Sequence, residues 1–190
     1  MSQNTTISAA TTEAGWLQRY YLTRTAFSAV WVGAALTLGQ SNALLGAALL
    51  IIYPLWDAAA NAVDALRNGG LARNHSQAVN LVVSLVTTVA VLIALPMGLS
   101  AVLTVFGAWA FLSGLLQLAT AVHRWKSGAQ WAMALSGAQS ALAGVAFVLQ
   151  AQQPVPAVIP VIAGYAGFGA IYFLVSALWL IVKGRSKRLA

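Results

Sequence analysis

The stretch Tyr53–Gly70, YPLWDAAANAVDALRNGG, decides how this chain is read. It continues an apolar run long enough to enter a membrane, yet it holds two of the three acidic residues of the chain, Asp57 and Asp64. The glycine pair Gly69–Gly70 breaks the helix and opens a short connector. Tyr53, Asp57, Asn61 and Asp64 recur at helical spacing and so form one polar stripe on an apolar helix. In lipid such a stripe has to face protein, because a charged group facing hydrocarbon is costly. The rest of the chain decides whether lipid is the solvent.

Composition says that it is. The 190 residues are 60% hydrophobic and 7% charged, with a mean hydropathy of +0.80. A water-soluble domain carries roughly 25% charged residues, so much of this surface has to meet something other than water. The formal net charge of +7 raises the question of nucleic acid. Its placement answers no, since the basic residues flank apolar runs and no basic patch is interleaved with aromatics. The absence of cysteine removes disulfides and thiolate metal sites. Residues 1–14 lack the basic and short apolar regions of a cleavable leader and read as a disordered cytoplasmic tail.

A helix of about 20 apolar residues crosses a bilayer, and six such runs fit, at about 16–39, 43–66, 78–95, 100–122, 130–149 and 155–182. The expected fold is therefore an all-α membrane protein, six transmembrane helices arranged as three pseudo-repeated hairpins (about 16–66, 78–122 and 130–182). These make up a domain over 15–183, followed by a basic cytoplasmic tail over 184–190. The turns GQSN, PMG and QAQQP carry no charge, and all ten Lys and Arg residues lie at the other ends of the runs. The positive-inside rule then puts both termini in the cytoplasm, against anionic lipid headgroups, in a multi-pass protein. Trp16, Trp125, Trp131 and Trp179 fall near the cytoplasmic ends, where amphipathic rings favour the headgroup level.

The hairpins echo one another. At an offset of 57 residues Arg124 falls on Arg67 and Gly114 on Asp57. Small residues repeat as ridges that let helices approach in lipid: Ser136, Ser140 and Gly144; Ala29 and Gly33; Ala110 and Gly114; Ala58 and Ala62. Trp131, Gly137, Gly144 and Pro154 stand in WAMALSGAQSALAGVAFVLQAQQP, and Gly107 and Gly114 in FGAWAFLSGLLQLATAVHR. With Trp16 and Arg24 opening the first run, these motifs resemble the HdeD-like family of bacterial membrane proteins, over about 16–183 and best in the last four spans. The resemblance implies the six-helix fold, an inner-membrane location and a link to acid or envelope stress; it carries over no catalytic, cofactor or transport residues. Asp57 departs from the family pattern, standing where a glycine is expected.

Taking the first hairpin as two antiparallel helices meeting at Ser41 puts Arg24 level with Asp57, and Arg19 level with Asp64. Asp57 then lies roughly 21 Å from the start of its helix at 1.5 Å per residue, in the cytoplasmic third of the bilayer. An ionised Asp at mid-bilayer costs roughly 2.5–3.5 kcal/mol, which an arginine at the same depth offsets. Gln117 and Ser113, with Gln139 and Ser140, are candidates to complete a polar interior. Two roles for Asp57 stay open: one half of an ion-pair clamp that fixes helix register, or a proton or cation site used in transport.

Other chemistry has little to build on. His75 and His123 sit on separate connections and form no metal motif. No Ser-His-Asp set shares a depth, and no glycine-rich phosphate loop follows a strand. No catalytic residue, metal or cofactor is expected. The expected function is that of a non-enzymatic HdeD-like inner-membrane protein serving acid or envelope stress. The alternatives are a small-solute or proton transporter or channel built on the Asp57 stripe, and a scaffold that associates with further copies of itself.

Overall fold

The computed structural model describes residues 2–67, 69–123, 131–154 and 158–189, and their side chains except those at 2–14, 120, 123, 131–133 and 185–189. Arg124, Trp125 and Lys126, on which part of the repeat and charge pattern rests, lie outside the described residues, as do the side chains of Trp131 and of the basic tail after Gly184. Six α-helices account for most of the described chain, and no strand occurs among the described residues: α1 Ser2–Ala34, α2 Ala43–Arg67, α3 His75–Ala94, α4 Leu99–His123, α5 Trp131–Gln150 and α6 Val158–Leu189. Four stretches are long and apolar enough to cross a membrane, Ala43–Arg67, His75–Met97, Leu99–Ala119 and Val158–Gly184, and α5 adds the shorter apolar helix Ala134–Gln150. Large aliphatic side chains cover their outer faces; Leu44 is 80% exposed and Leu142 71%. Bare leucines on that scale suit a hydrocarbon solvent and not water.

The backbone of α1 is helical from Ser2, through the segment that the sequence suggests is a disordered tail. Extending an existing helix costs far less than starting one, and this segment contributes alanines and no proline.

The turns follow from their residues. After α1 the chain makes one wide π-type turn over Ala35–Gly39. Asn42 Oδ1 then accepts the amides of Leu44 and Leu45 at 3.0 and 3.1 Å, capping α2. At the far end of α2, Gly69 and Gly70 take φ of 94° and 92°, and Gly70 N–H returns to Ala65 O at 2.8 Å. Asn74 Nδ2 donates to Gly70 O at 2.9 Å and closes the connector. Gly98, at φ 111°, ends the Leu95–Met97 turn between α3 and α4.

The chain divides into two units. One comprises residues up to Gly33 together with those from Ala163 onward, that is, most of α1 and α6. Within it the Tyr21 and Phe173 rings stack at 6.1 Å, and Thr25 Oγ1 donates to Tyr21 O at 2.9 Å.

The other unit, Ala34–Ile162, holds α2 to α5. Here α4 packs most extensively on α5, then α2 on α3, and α3 on α4 less than either. The closest packing thus joins helices linked by the longer connections, not helices linked by a short turn. Apolar burial does not draw helices together in lipid, so contact goes where small or polar residues allow it.

Candidate functional site

Asp57 of α2 faces Ser84 of α3. Ser84 Oγ donates to Asp57 Oδ2 at 2.8 Å. One turn along α2, Asn61 Nδ2 donates to the same oxygen at 2.9 Å and to Asp57 O at 2.8 Å. Trp109 of α4 reaches across and donates its indole N–H to Ser84 Oγ at 3.2 Å. One hydroxyl therefore accepts from the indole while donating to the carboxylate, an arrangement in which each bond polarises the next. Ser84 is 1% exposed and Trp109 5%, so the indole–hydroxyl bond is buried, while the bonds to the half-buried Asp57 are partly so. Tyr53 and Phe106 meet the Trp109 ring edge-on at 5.8 and 5.9 Å and hold its orientation. The neighbouring hydroxyls of α3 turn inward on their own helix, with Thr88 donating to Ser84 O and Thr87 to Val83 O, both at 2.8 Å.

A second polar rung lies two turns away. Gln77 Nε2 of α3 donates to Asp64 Oδ2 of α2 at 3.1 Å. Asp57 to Asp64 and Ser84 to Gln77 are both seven-residue steps, so the two rungs share one antiparallel register. A seven-residue repeat keeps two helices in contact along a single seam.

The α4–α5 seam follows the same spacing with opposite chemistry. A Cβ on Gly107 would stand 2.8 Å from Gly144 O, and one on Gly144 would stand 2.6 Å from Gly107 O. Gly114 and Gly137, seven residues on along each helix, are matched in the same way, and a Cβ on Gly114 would also strike Ala141 N. No side chain fits at these four positions, which are backbone against backbone. Ser140 Oγ donates to Ala110 O at 3.1 Å between the two glycine rungs.

Of the candidates read from the sequence, Tyr53, Asp57, Asn61 and Asp64 come together on the α3–α4 side of α2 through these contacts. Gln117 lies in the α4–α5 seam, where Ser136 Oγ donates to its Oε1 at 3.5 Å, and Gln139 and Ser113 are half-buried. Arg24 belongs to the α1–α6 unit. Its guanidinium lies 4.4 Å from the Phe173 ring centroid, and Nη1 donates to Tyr20 Oη at 3.2 Å. Arg19 is exposed on the same helix. Among the described residues no three His, Asp or Glu side chains converge as a metal-binding set.

Ser84, Trp109 and Phe173 are not legible as site residues in the sequence, although two of them carry a signal. Ser84 opens a cluster with Thr87 and Thr88 inside an apolar run. Trp109 sits near the middle of its span, away from the interfaces where tryptophan concentrates, so its indole N–H has to find a partner in the protein.

A family model described as a short repeat of unknown function (DUF308) matches residues 82–149, and HdeD proteins belong to that family. The matched stretch runs from α3 through α5 and takes in Ser84, Trp109 and all four seam glycines. No curated protein and no solved structure matches the chain significantly. The apolar helices and this match together describe a helical membrane protein similar over that stretch to the short-repeat family.

Proposed function

We propose that the chain is an HdeD-like multi-pass protein of a bacterial inner membrane, with six spans and both termini in the cytoplasm, that serves acid or envelope stress without enzymatic chemistry. In this reading Asp57 is a structural group that locks α2 to α3 and α4. One observation carries it: the hydrogen-bond chain Trp109–Ser84–Asp57 ends on an indole. An indole N–H donates and does not accept, so this hydrogen-bond chain relays no proton between Asp57 and Trp109. A carrier site needs a way in and a way out, whereas a clamp needs only satisfied partners. The short-repeat match over α3 to α5 supports the family part of the reading, and the confinement of all ten Lys and Arg to one end of the spans supports the topology.

The test is acid survival of a strain lacking the protein, complemented with wild type or with Asp57→Asn. Survival should follow the amount of each variant in the membrane. Normal Asp57→Asn protein levels with survival abolished would replace the clamp with a transport site.

A further inference from the structure

The offset of 57 residues that carries Arg67 onto Arg124 also relates the two seams. It carries Asp57 onto Gly114 and Ser84 onto Ala141. In the first seam Asp57 Oδ2 takes the Ser84 hydroxyl at 2.8 Å. In the second, Gly114 lies so near Ala141 N that a Cβ has no room. The same seat is therefore filled by a carboxylate–hydroxyl bond in one seam and by bare backbone in the other.

The relation holds at every glycine of the second seam. Gly107 and Gly114 on α4 correspond to Leu50 and Asp57 on α2. Gly137 and Gly144 on α5 correspond to Asn80 and Thr87 on α3. All four positions that must be bare in α4–α5 carry side chains on α2 and α3. Leu50 is fully buried and Thr87 nearly so, which makes both part of the packing.

From this we infer that the two repeat-related seams form a pairing code that lets each seam face accept only its own partner face. If α4 met α3 through its glycine face, Asn80 and Thr87 would occupy the space that Gly137 and Gly144 leave open. If α2 met α5 through its Asp57 face, the carboxylate would find Ala141 in place of the Ser84 hydroxyl, and Leu50 and Asp57 would strike the α5 backbone. A chain of similar apolar hairpins in lipid has no burial energy with which to reject such mispairings. Steric exclusion and an unmet carboxylate supply the rejection, as they do wherever specificity rests on penalising the wrong partner.

The absence of native cysteine permits a direct test in membranes on the full chain. One reporter, Asp64→Cys with Gln77→Cys, reads the α2–α3 seam by disulfide yield. A second, Ala110→Cys with Ser140→Cys, reads α4–α5. Into each is placed either Asp57→Leu with Ser84→Ala, or Gly107→Leu with Gly114→Asp. The first change should lower the α2–α3 yield about fivefold, the scale of a lost interhelical hydrogen bond in a bilayer, and leave α4–α5 at its reference yield. The second should abolish the α4–α5 disulfide and leave α2–α3 unchanged. The code is overturned if a seam keeps its reference yield after its own residues are exchanged. It is equally overturned if both reporters fall together in each variant, because the seams would then not be separately specified.

Discussion

Ser84 stands between Trp109 and Asp57, accepting from the first at 3.2 Å and donating to the second at 2.8 Å. A hydroxyl in that position couples α2 to α4 through α3. Removing it by Ser84→Ala deletes both bonds while leaving the fold's apolar contacts in place. Interhelical hydrogen bonds in membranes average about 0.6 kcal/mol and reach about 1.7 kcal/mol, so Ser84→Ala should cost about 1–2 kcal/mol. Trp109→Phe, which keeps an aromatic ring and loses the donor, should cost less. In a thermal double-mutant cycle the two losses should fall short of additive, because both act through one hydroxyl. Strict additivity would mean that the three residues do not work as a unit.

The glycines separate into two groups with opposite expected behaviour. At Gly114 and Gly144 an added Cβ would meet backbone closer than any Cβ tolerates, whereas one at Gly164, on α6, would have nothing within 4 Å. Gly114→Ala and Gly144→Ala should each force α4 and α5 apart and cost about 2–3 kcal/mol, within the range for overpacking a tight core. Gly164→Ala should be neutral or stabilising by up to about 1 kcal/mol through helix propensity. Thermal denaturation in detergent micelles, followed by the monodisperse fraction, measures all three. Equal effects at the three positions would show that close backbone approach does not hold the seam.

The outline of this architecture can be read in the sequence, but its pairing cannot. Hydropathy and terminating residues locate the helices, and GQSN, PMG and the glycine pair mark turns that the structure forms with Asn42, Gly98, Gly69 and Gly70. The polar stripe of Tyr53, Asp57, Asn61 and Asp64 follows from spacing alone. Its partners do not, because depth along an assumed hairpin fixes how far along a helix a residue lies but not which neighbour it faces. Ser84 and Trp109 come from helices outside the hairpin in which the sequence pattern places α2. The glycines are visible as small residues, yet only three-dimensional register distinguishes Gly114, which cannot bear a Cβ, from Gly33, which has open space around it.

Arg24 offers a test within the α1–α6 unit. Its guanidinium faces Phe173 at 4.4 Å from the ring centroid while Nη1 bonds Tyr20. A cation over an aromatic face contributes about 0.5–1 kcal/mol when exposed and about 2 kcal/mol when desolvated. Arg24→Lys keeps the charge but loses the planar stacking surface, and Phe173→Leu removes the ring while keeping an apolar side chain. Each single change should destabilise by about 1 kcal/mol, with Arg24→Lys adding little once Phe173 is leucine. A full additional loss from Arg24→Lys in the Phe173→Leu background would place the stabilising interaction of Arg24 elsewhere.

The proposed topology makes the most decisive prediction, and the cysteine-free chain suits it. Ser41 and Gln152 lie in exposed turns that join helices at the uncharged end of the spans, and Gly184 lies in the basic segment after Lys183. The excess of Lys and Arg marks the cytoplasmic side of short connections. A membrane-impermeant maleimide added to intact cells should therefore label Ser41→Cys and Gln152→Cys and leave Gly184→Cys unlabelled until the membrane is opened. The comparison is internal to one protein and one reagent, so expression level does not confound it. Labelling of Gly184→Cys from outside would invert the orientation. Labelling of Ser41→Cys but not Gln152→Cys would require an odd number of crossings between the two turns, and α5 as a full span would then be the first assignment to fall.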